Sequence, residues 1–133
     1  MSRTTFVNLP VLDLDRAVEF FTDLGFGFDP RFTDENAGAM TISDLCSVML
    51  LRQPFFSTFT DKQVATEFVT EVAIALSAKS RDEVDTLVDR AVSLGAAPSG
   101  ETQDQGFMYG RSFHDLDGHL WEFIWMDPAV AAG

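Results

Sequence analysis

Twice along these 133 residues a β-prone run leads into a capped amphipathic helix that stops at Leu-Gly, and no other feature limits the fold as tightly. In the first pass, residues 4–11 alternate Phe6, Asn8 and Pro10 with Val7, Leu9 and Val11, the pattern of a half-buried strand. Asp13 then caps a helix whose Leu14, Ala17, Val18, Phe21 and Leu24 fall at helical spacing before Gly25. In the second pass, residues 71–78 form the strand, Ser80 and Glu83 make a capping box, and Val84, Leu87, Val88, Ala91 and Leu94 line the helix before Gly95. Three further β-prone runs follow each helix, at 26–32, 39–42 and 47–51, then at 97–103, 107–113 and 120–124. Neither strand-helix-three-strand unit can bury its own sheet face. The pattern predicts an α+β fold of two βαβββ modules, approximately 1–56 and 68–127 of a single domain spanning 1–133, whose eight strands curl around a shared ligand cavity.

Residues 106–125 concentrate the rare side chains, holding both histidines, the only tyrosine and both tryptophans. Two aromatic-rich runs flank the polar segment His114-Asp-Leu-Asp-Gly-His119, so the chain reverses there into a hairpin. A turn pairing Phe113 with Leu120 sets Arg111 opposite Glu122 and Tyr109 opposite Ile124, all on one face. Glu122 is then an acid on an apolar sheet face, and burying it unpaired would cost several kcal/mol or raise its pKa. Arg111 is its expected compensation. The pair either holds the hairpin register or serves a ligand or a proton transfer.

Twenty-one acidic against nine basic residues give a net charge of -12, which argues against a nucleic-acid partner. No run approaches the length of a membrane span, and residues 1–15 lack a signal peptide's apolar region. The single cysteine, Cys46, has no internal disulfide partner and suits a reducing compartment, so a cytoplasmic protein is expected. It has no cationic neighbour to activate it. Residues 53–68 show no clean period yet carry several phenylalanines, and read as a long connection.

The segment from Asp13 to Phe26, Asp-Leu-x-Arg-Ala-x-x-Phe-Phe-x-x-Leu-Gly-Phe, resembles the opening of the vicinal oxygen chelate superfamily, which includes glyoxalase I, bleomycin-resistance proteins and extradiol dioxygenases. The Asp115-Leu-Asp-Gly-His-Leu-Trp-Glu122 stretch resembles its closing signature. FVNLPV, FTDENA, VMLL and GFMYGRSF are similar to a bacterial subgroup labelled lactoylglutathione lyase-related. The resemblance implies a divalent metal held by one residue on each of four strands. Those positions fall on Phe6, near Leu50, on Ala73 and on Glu122. Only Glu122 can donate to a hard or borderline cation, so no metal and no other cofactor is expected.

What remains is Glu122 as a tentative catalytic residue or ligand handle, with Asn8, Tyr109 and Arg111 as polar ligand contacts and Phe6, Leu50, Ala73 and Phe113 as walls. His114 and His119 flank the turn and read as solvated. Two functions follow from the resemblance. One is a metal-free homodimer that binds a small, largely apolar or aromatic molecule. The other is a lyase, isomerase or dioxygenase using Glu122 as a base.

Overall fold

The computed structural model describes residues 2–131, which divide into two compact units between Val64 and Ala65. In the first, strand β1 (Thr5–Val11) leads into helix α1 (Leu14–Leu24), followed by β2 (Gly27–Phe28), β3 (Ala37–Ser43) and β4 (Cys46–Arg52). The sheet order is β1-β4-β3-β2, with β1 parallel to β4 and the other pairs antiparallel. Because β1 is an edge strand, Pro10 removes no needed ladder donor. Asp13 accepts the Arg16 N–H at 3.1 Å, and Gly25, at φ +118°, donates back to the Phe21 and Thr22 carbonyls. That left-handed end is why the helix stops at Leu-Gly.

The second unit repeats the plan. Strand β5 (Ala73–Ser77) precedes helix α3 (Arg81–Ser93), then β6 (Ala97–Asp104), β7 (Met108–His114) and β8 (Leu120–Met126), in sheet order β5-β8-β7-β6. Ser80 accepts the Glu83 N–H at 3.0 Å, while the Glu83 carboxylate reaches back to the Lys79 N–H. Two short helices, α2 (Gln53–Phe56) in the connection and α4 (Pro128–Ala131) after β8, complete the chain.

One face of each sheet is covered by its helix. On the covered side of the first sheet Leu9, Val11, Met40, Val48 and Leu50 are buried, and β3 and β4 meet α1, whose Ala17, Phe20, Phe21 and Leu24 are buried in turn. In the second unit Phe113, Trp121 and Phe123 meet Val84, Val88 and Ala91 of α3. Gly38 lets α1 come close, since a Cβ there would lie 2.9 Å from the Val18 methyl.

Two expectations change. The run at 26–32 is a two-residue strand followed by a 3-10 turn (Pro30–Phe32), because Pro30 offers no ladder N–H and Asp29 caps the Arg31 N–H at 3.0 Å. More consequentially, the final hairpin pairs His114 with Leu120, Ser112 with Glu122 and Arg111 with Phe123, one residue away from the expected register. The turn is closed by Asp115, whose N–H donates to the His119 carbonyl at 2.9 Å and whose carboxylate accepts from the N–H groups of Asp117 and His119 and from Trp121 Nε1. A slip of one residue moves a side chain to the other face. Arg111 and Glu122 therefore stand on opposite sides of the sheet.

Candidate functional site

Chemistry gathers on the two faces that the helices leave open. On the first sheet this face carries Phe6, Asn8, Ser47, Met49, Ala39 and Thr41, as the paired positions dictate. A cavity of about 270 Å³ opens here, lined by Thr4, Phe6, Asp29, Arg31, Phe32, Ala39, Asp44, Ser47 and Met49. Phe6 and Phe32 are each 60% exposed, unusual for rings of that size, and present apolar walls. Arg31 holds both Asp29 oxygens, at 3.1 and 2.8 Å, and stacks 5.4 Å from the Phe32 centroid. Hydrogen bonds from Arg31 keep the Asp29 carboxyl below its ordinary pKa. Asp44, in the β3–β4 turn, has no protein partner among the described residues.

The open face of the second sheet differs in character. Across its four strands runs the row Ala75, Glu122, Ser112, Ser99. Ser112 Oγ donates to Glu122 Oε2 at 3.1 Å, and both side chains are half-buried. The other Glu122 oxygen has no protein partner among the described residues.

Of the residues read from sequence, Phe6, Asn8, Ala73 and Glu122 occupy open faces. Phe6 lines the cavity, and Asn8 is exposed one step further along β1. Four others lie beneath helices. Leu50 and Phe113 are fully buried in their cores. Tyr109 Oη donates to Asp85 at 2.7 Å, and Arg111 Nη1 bridges Asp85 and Asp89, both at 3.0 Å, on α3. These bonds, the one from Tyr109 foremost, lower the Asp85 pKa, and the same bond raises that of Tyr109. Arg111 is thus the anchor of a helix and not the partner of Glu122.

The histidine reading is also corrected. His119 is 5% exposed, with Nδ1 2.7 Å from Glu71 Oε1, because the Asp115 hub folds the turn inward. Burial raises the Asp115 pKa, against the opposing pull of His119 and the Trp121 hydrogen bond. Gly118, at φ +84°, passes so near Glu67 that a Cβ would lie 2.8 Å from its Cα.

Of the cavity's lining residues, sequence reasoning found only Phe6 and missed the rest, Met49 at the centre of the sheet among them. For Met49 a signal existed. Asn8 and Ala75 each stand five residues before their helix cap, and their parallel partners are Met49 and Glu122, so these two are counterparts.

Comparison with known proteins accords with this architecture. Residues 3–43 match the bleomycin resistance protein-like N-terminal family. A hypothetical protein from S. aureus is 30% identical over 94% of this chain and 95% of its own, with a TM-score of 0.79. A glyoxalase/bleomycin resistance protein/dioxygenase family enzyme from Burkholderia phytofirmans PsJN, 12% identical, covers 94% of this chain and 99% of its own with a TM-score of 0.78. The chain has the fold of the glyoxalase/bleomycin resistance/dioxygenase structures, and its first strand-helix segment carries the bleomycin resistance protein-like sequence pattern. Its fold is shared as well by a bleomycin resistance determinant encoded on transposon Tn5, 19% identical, covering 95% and 99% of the two chains at a TM-score of 0.64. No curated protein matches the sequence.

Superfamily enzymes hold a divalent metal at four strand positions, which by strand register fall on Phe6, Met49, Ala73 and Glu122. A phenyl ring and a methyl group donate nothing, and a thioether is a poor ligand for a hard or borderline cation. The donor set does not fit the metal. Among the described residues no group of three or more His, Cys, Asp or Glu side chains gathers as a metal site requires. No described helix is long and apolar enough to cross a membrane.

Proposed function

We propose that this protein binds a small, largely apolar or aromatic molecule. The observation carrying the reading is the first-unit cavity of about 270 Å³, walled by Phe6, Phe32 and Met49 with carboxylates at its edge. Apolar walls with a few polar groups are what a small-molecule site requires, and the volume suits a ligand of one or two rings. A thioether and two phenyl rings favour a flat ring system. Titrating the full chain with 2-naphthol, a neutral flat probe, should move the amide resonances of Phe6, Ala39 and Met49. Phe6→Ala and Phe32→Ala should each weaken binding several-fold, since an aromatic contact contributes about 0.5–1.5 kcal/mol. Shifts scattered away from these residues would refute the reading.

The reading includes a homodimer in the cytoplasm. Phe55, Phe59 and Phe68 are 37%, 55% and 87% exposed, more apolar surface than this connection should leave to water. Light scattering should give twice the 14.7 kDa chain mass. An enzymatic alternative, lyase-like or dioxygenase-like with Glu122 as base, draws support from the one Glu122 oxygen left without a protein partner. Lactoylglutathione lyase turnover lost in Glu122→Gln would favour it.

A further inference from the structure

We propose that the open face of the second sheet is a recognition site for a group rich in N–H donors, a primary ammonium or an amidinium, read jointly by Glu122 and Ser112. The inference is independent of the first-unit cavity, and it assigns Glu122 to recognition instead of proton transfer.

Ser112 has one hydroxyl proton and directs it at Glu122 Oε2, 3.1 Å away. Its oxygen is thereby left as an acceptor. Glu122 Oε1 has no protein partner among the described residues. Two acceptors, one of them anionic, thus stand in adjacent positions on neighbouring strands, Ser112 on β7 directly opposite Glu122 on β8. A ligand must bring at least two donors to satisfy both. Ser99, next in the same row and half-buried, adds a hydroxyl that also lacks a protein partner among the described residues.

Access and charge support the same assignment. Ala75, the β5 partner of Glu122, is exposed and short, and Ser112 and Gly110 are small on the β7 side, so the carboxylate is open across the strands while Leu120 and Ile124 wall it along β8. None of the paired positions on this face is Lys or Arg. Arg111, the nearest cation in sequence to Ser112, is held on the helix side by Asp85 and Asp89. Among the described residues the carboxylate makes no ion pair, His114 in the neighbouring row included. Charge-assisted hydrogen bonds are roughly twice as strong as neutral ones, so a cationic donor is preferred over a neutral amide of the same shape. A metal ion is not the fitting cation, because one carboxylate and two hydroxyls fall short of the oxygen shell such ions demand. Ser112 acts here as a positioning residue that fixes the Glu122 rotamer.

The test uses the full chain, labelled with nitrogen-15, titrated at neutral pH with benzamidine and separately with benzamide, its neutral shape-match. Benzamidine should produce saturable shifts at the amides of Ala75, Ser112 and Glu122. Benzamide should bind about tenfold more weakly or worse, the scale expected when hydrogen bonds to a charged group are lost. Glu122→Gln should weaken benzamidine by a similar factor. Ser112→Ala should weaken it several-fold, and Ser112→Thr, which keeps the hydroxyl, should restore it. Equal affinity for the two probes would overturn the proposal, as would unchanged benzamidine affinity in Glu122→Gln with the rest of the spectrum intact. Shifts confined to Phe6, Ala39 and Met49 would also overturn it while leaving the first-unit cavity standing.

Discussion

The middle row of the first open face reads Asn8, Met49, Ala39; its counterpart in the second reads Ala75, Glu122, Ser112. The backbone plan is the same, with a parallel outer strand, a central strand and an antiparallel neighbour. The side chains have exchanged roles. The first unit places Met49 at the centre of its open face, whereas the second sets a carboxylate there, with small residues across the strands in Ala75 and Ser112 and bulk only along β8 itself, in Leu120 and Ile124. The helix sides diverge in the opposite sense. Gly38 brings α1 into close apolar contact, while its counterpart Arg111 reaches out to the acids of α3. A repeated scaffold thus fixes where side chains project but not their chemistry, and each unit can specialise without altering strand order.

The sharpest way to break the comparison is at the equivalent hairpin turns. In the first unit Asp44 sits in a two-residue turn, exposed and without a protein partner among the described residues. In the second Asp115 is buried and satisfies three donors. Asp115→Ala strands those donors and should cost about 3–5 kcal/mol, given roughly 1–3 kcal/mol for each buried unsatisfied group and partial rescue by water. Asp44→Ala should change stability by no more than about 0.5 kcal/mol. Chemical denaturation of both variants checks this. Similar losses would mean that the two turns are not different devices.

That turn also marks where sequence reasoning stopped. Both helices, their caps and their Leu-Gly ends were legible because each signal is local, carried by Asp13, Ser80, Glu83, Gly25 and Gly95 within a few residues of its effect. The fold was legible from the same segments. The faces of β7 were not. Aromatic residues alternate with polar ones on both registers there, so the choice rests on how many residues Asp115 folds into the turn, and an aspartate before Leu-Asp-Gly can serve turns of several lengths. The α3 carboxylates that claim Arg111 lie 26 and 22 residues away, a contact no local pattern announces. Met49 was displaced by Leu50 for the same reason: a strand position known only to within one residue leaves the face undecided.

The corrected faces yield a prediction of intermediate size. Since Arg111 binds Asp85 and Asp89 while Glu122 binds Ser112, the two share no partner. Arg111→Met should destabilise by about 1–2 kcal/mol, the loss of charge-assisted bonds at a part-buried site. Glu122→Gln should fall within about 0.5 kcal/mol of the parent, because the amide oxygen can still accept from Ser112. The double variant should equal the sum to within about 0.5 kcal/mol. A coupling energy above 1 kcal/mol would restore the direct pair that the register excludes.

The smallest effect separates the arginine–aspartate pairs of the two units. Both pairs are bidentate, but Arg31 and Asp29 are two residues apart, whereas Arg81 and Asp104 are 23 apart and joined at 2.9 and 2.8 Å. Hydrogen bonds from Arg81, and then from the Gly106 N–H, lower the Asp104 pKa from 3.8 to about 2. A depressed carboxyl pKa stabilises the fold above the unfolded value, and the contribution is lost as pH falls through the folded one. The acid limb attributable to Asp104 therefore lies between about 4 and 2. Asp29 is also lowered by its arginine, but neighbours in sequence keep meeting in the unfolded chain, which cancels part of the difference between the two states. Both pairs are solvent-facing, so the changes should be small and should shrink further in high salt. Asp104→Asn should flatten the fall in stability over that acid range more than Asp29→Asn does. Equal flattening would show that separation along the chain does not govern their linkage to folding.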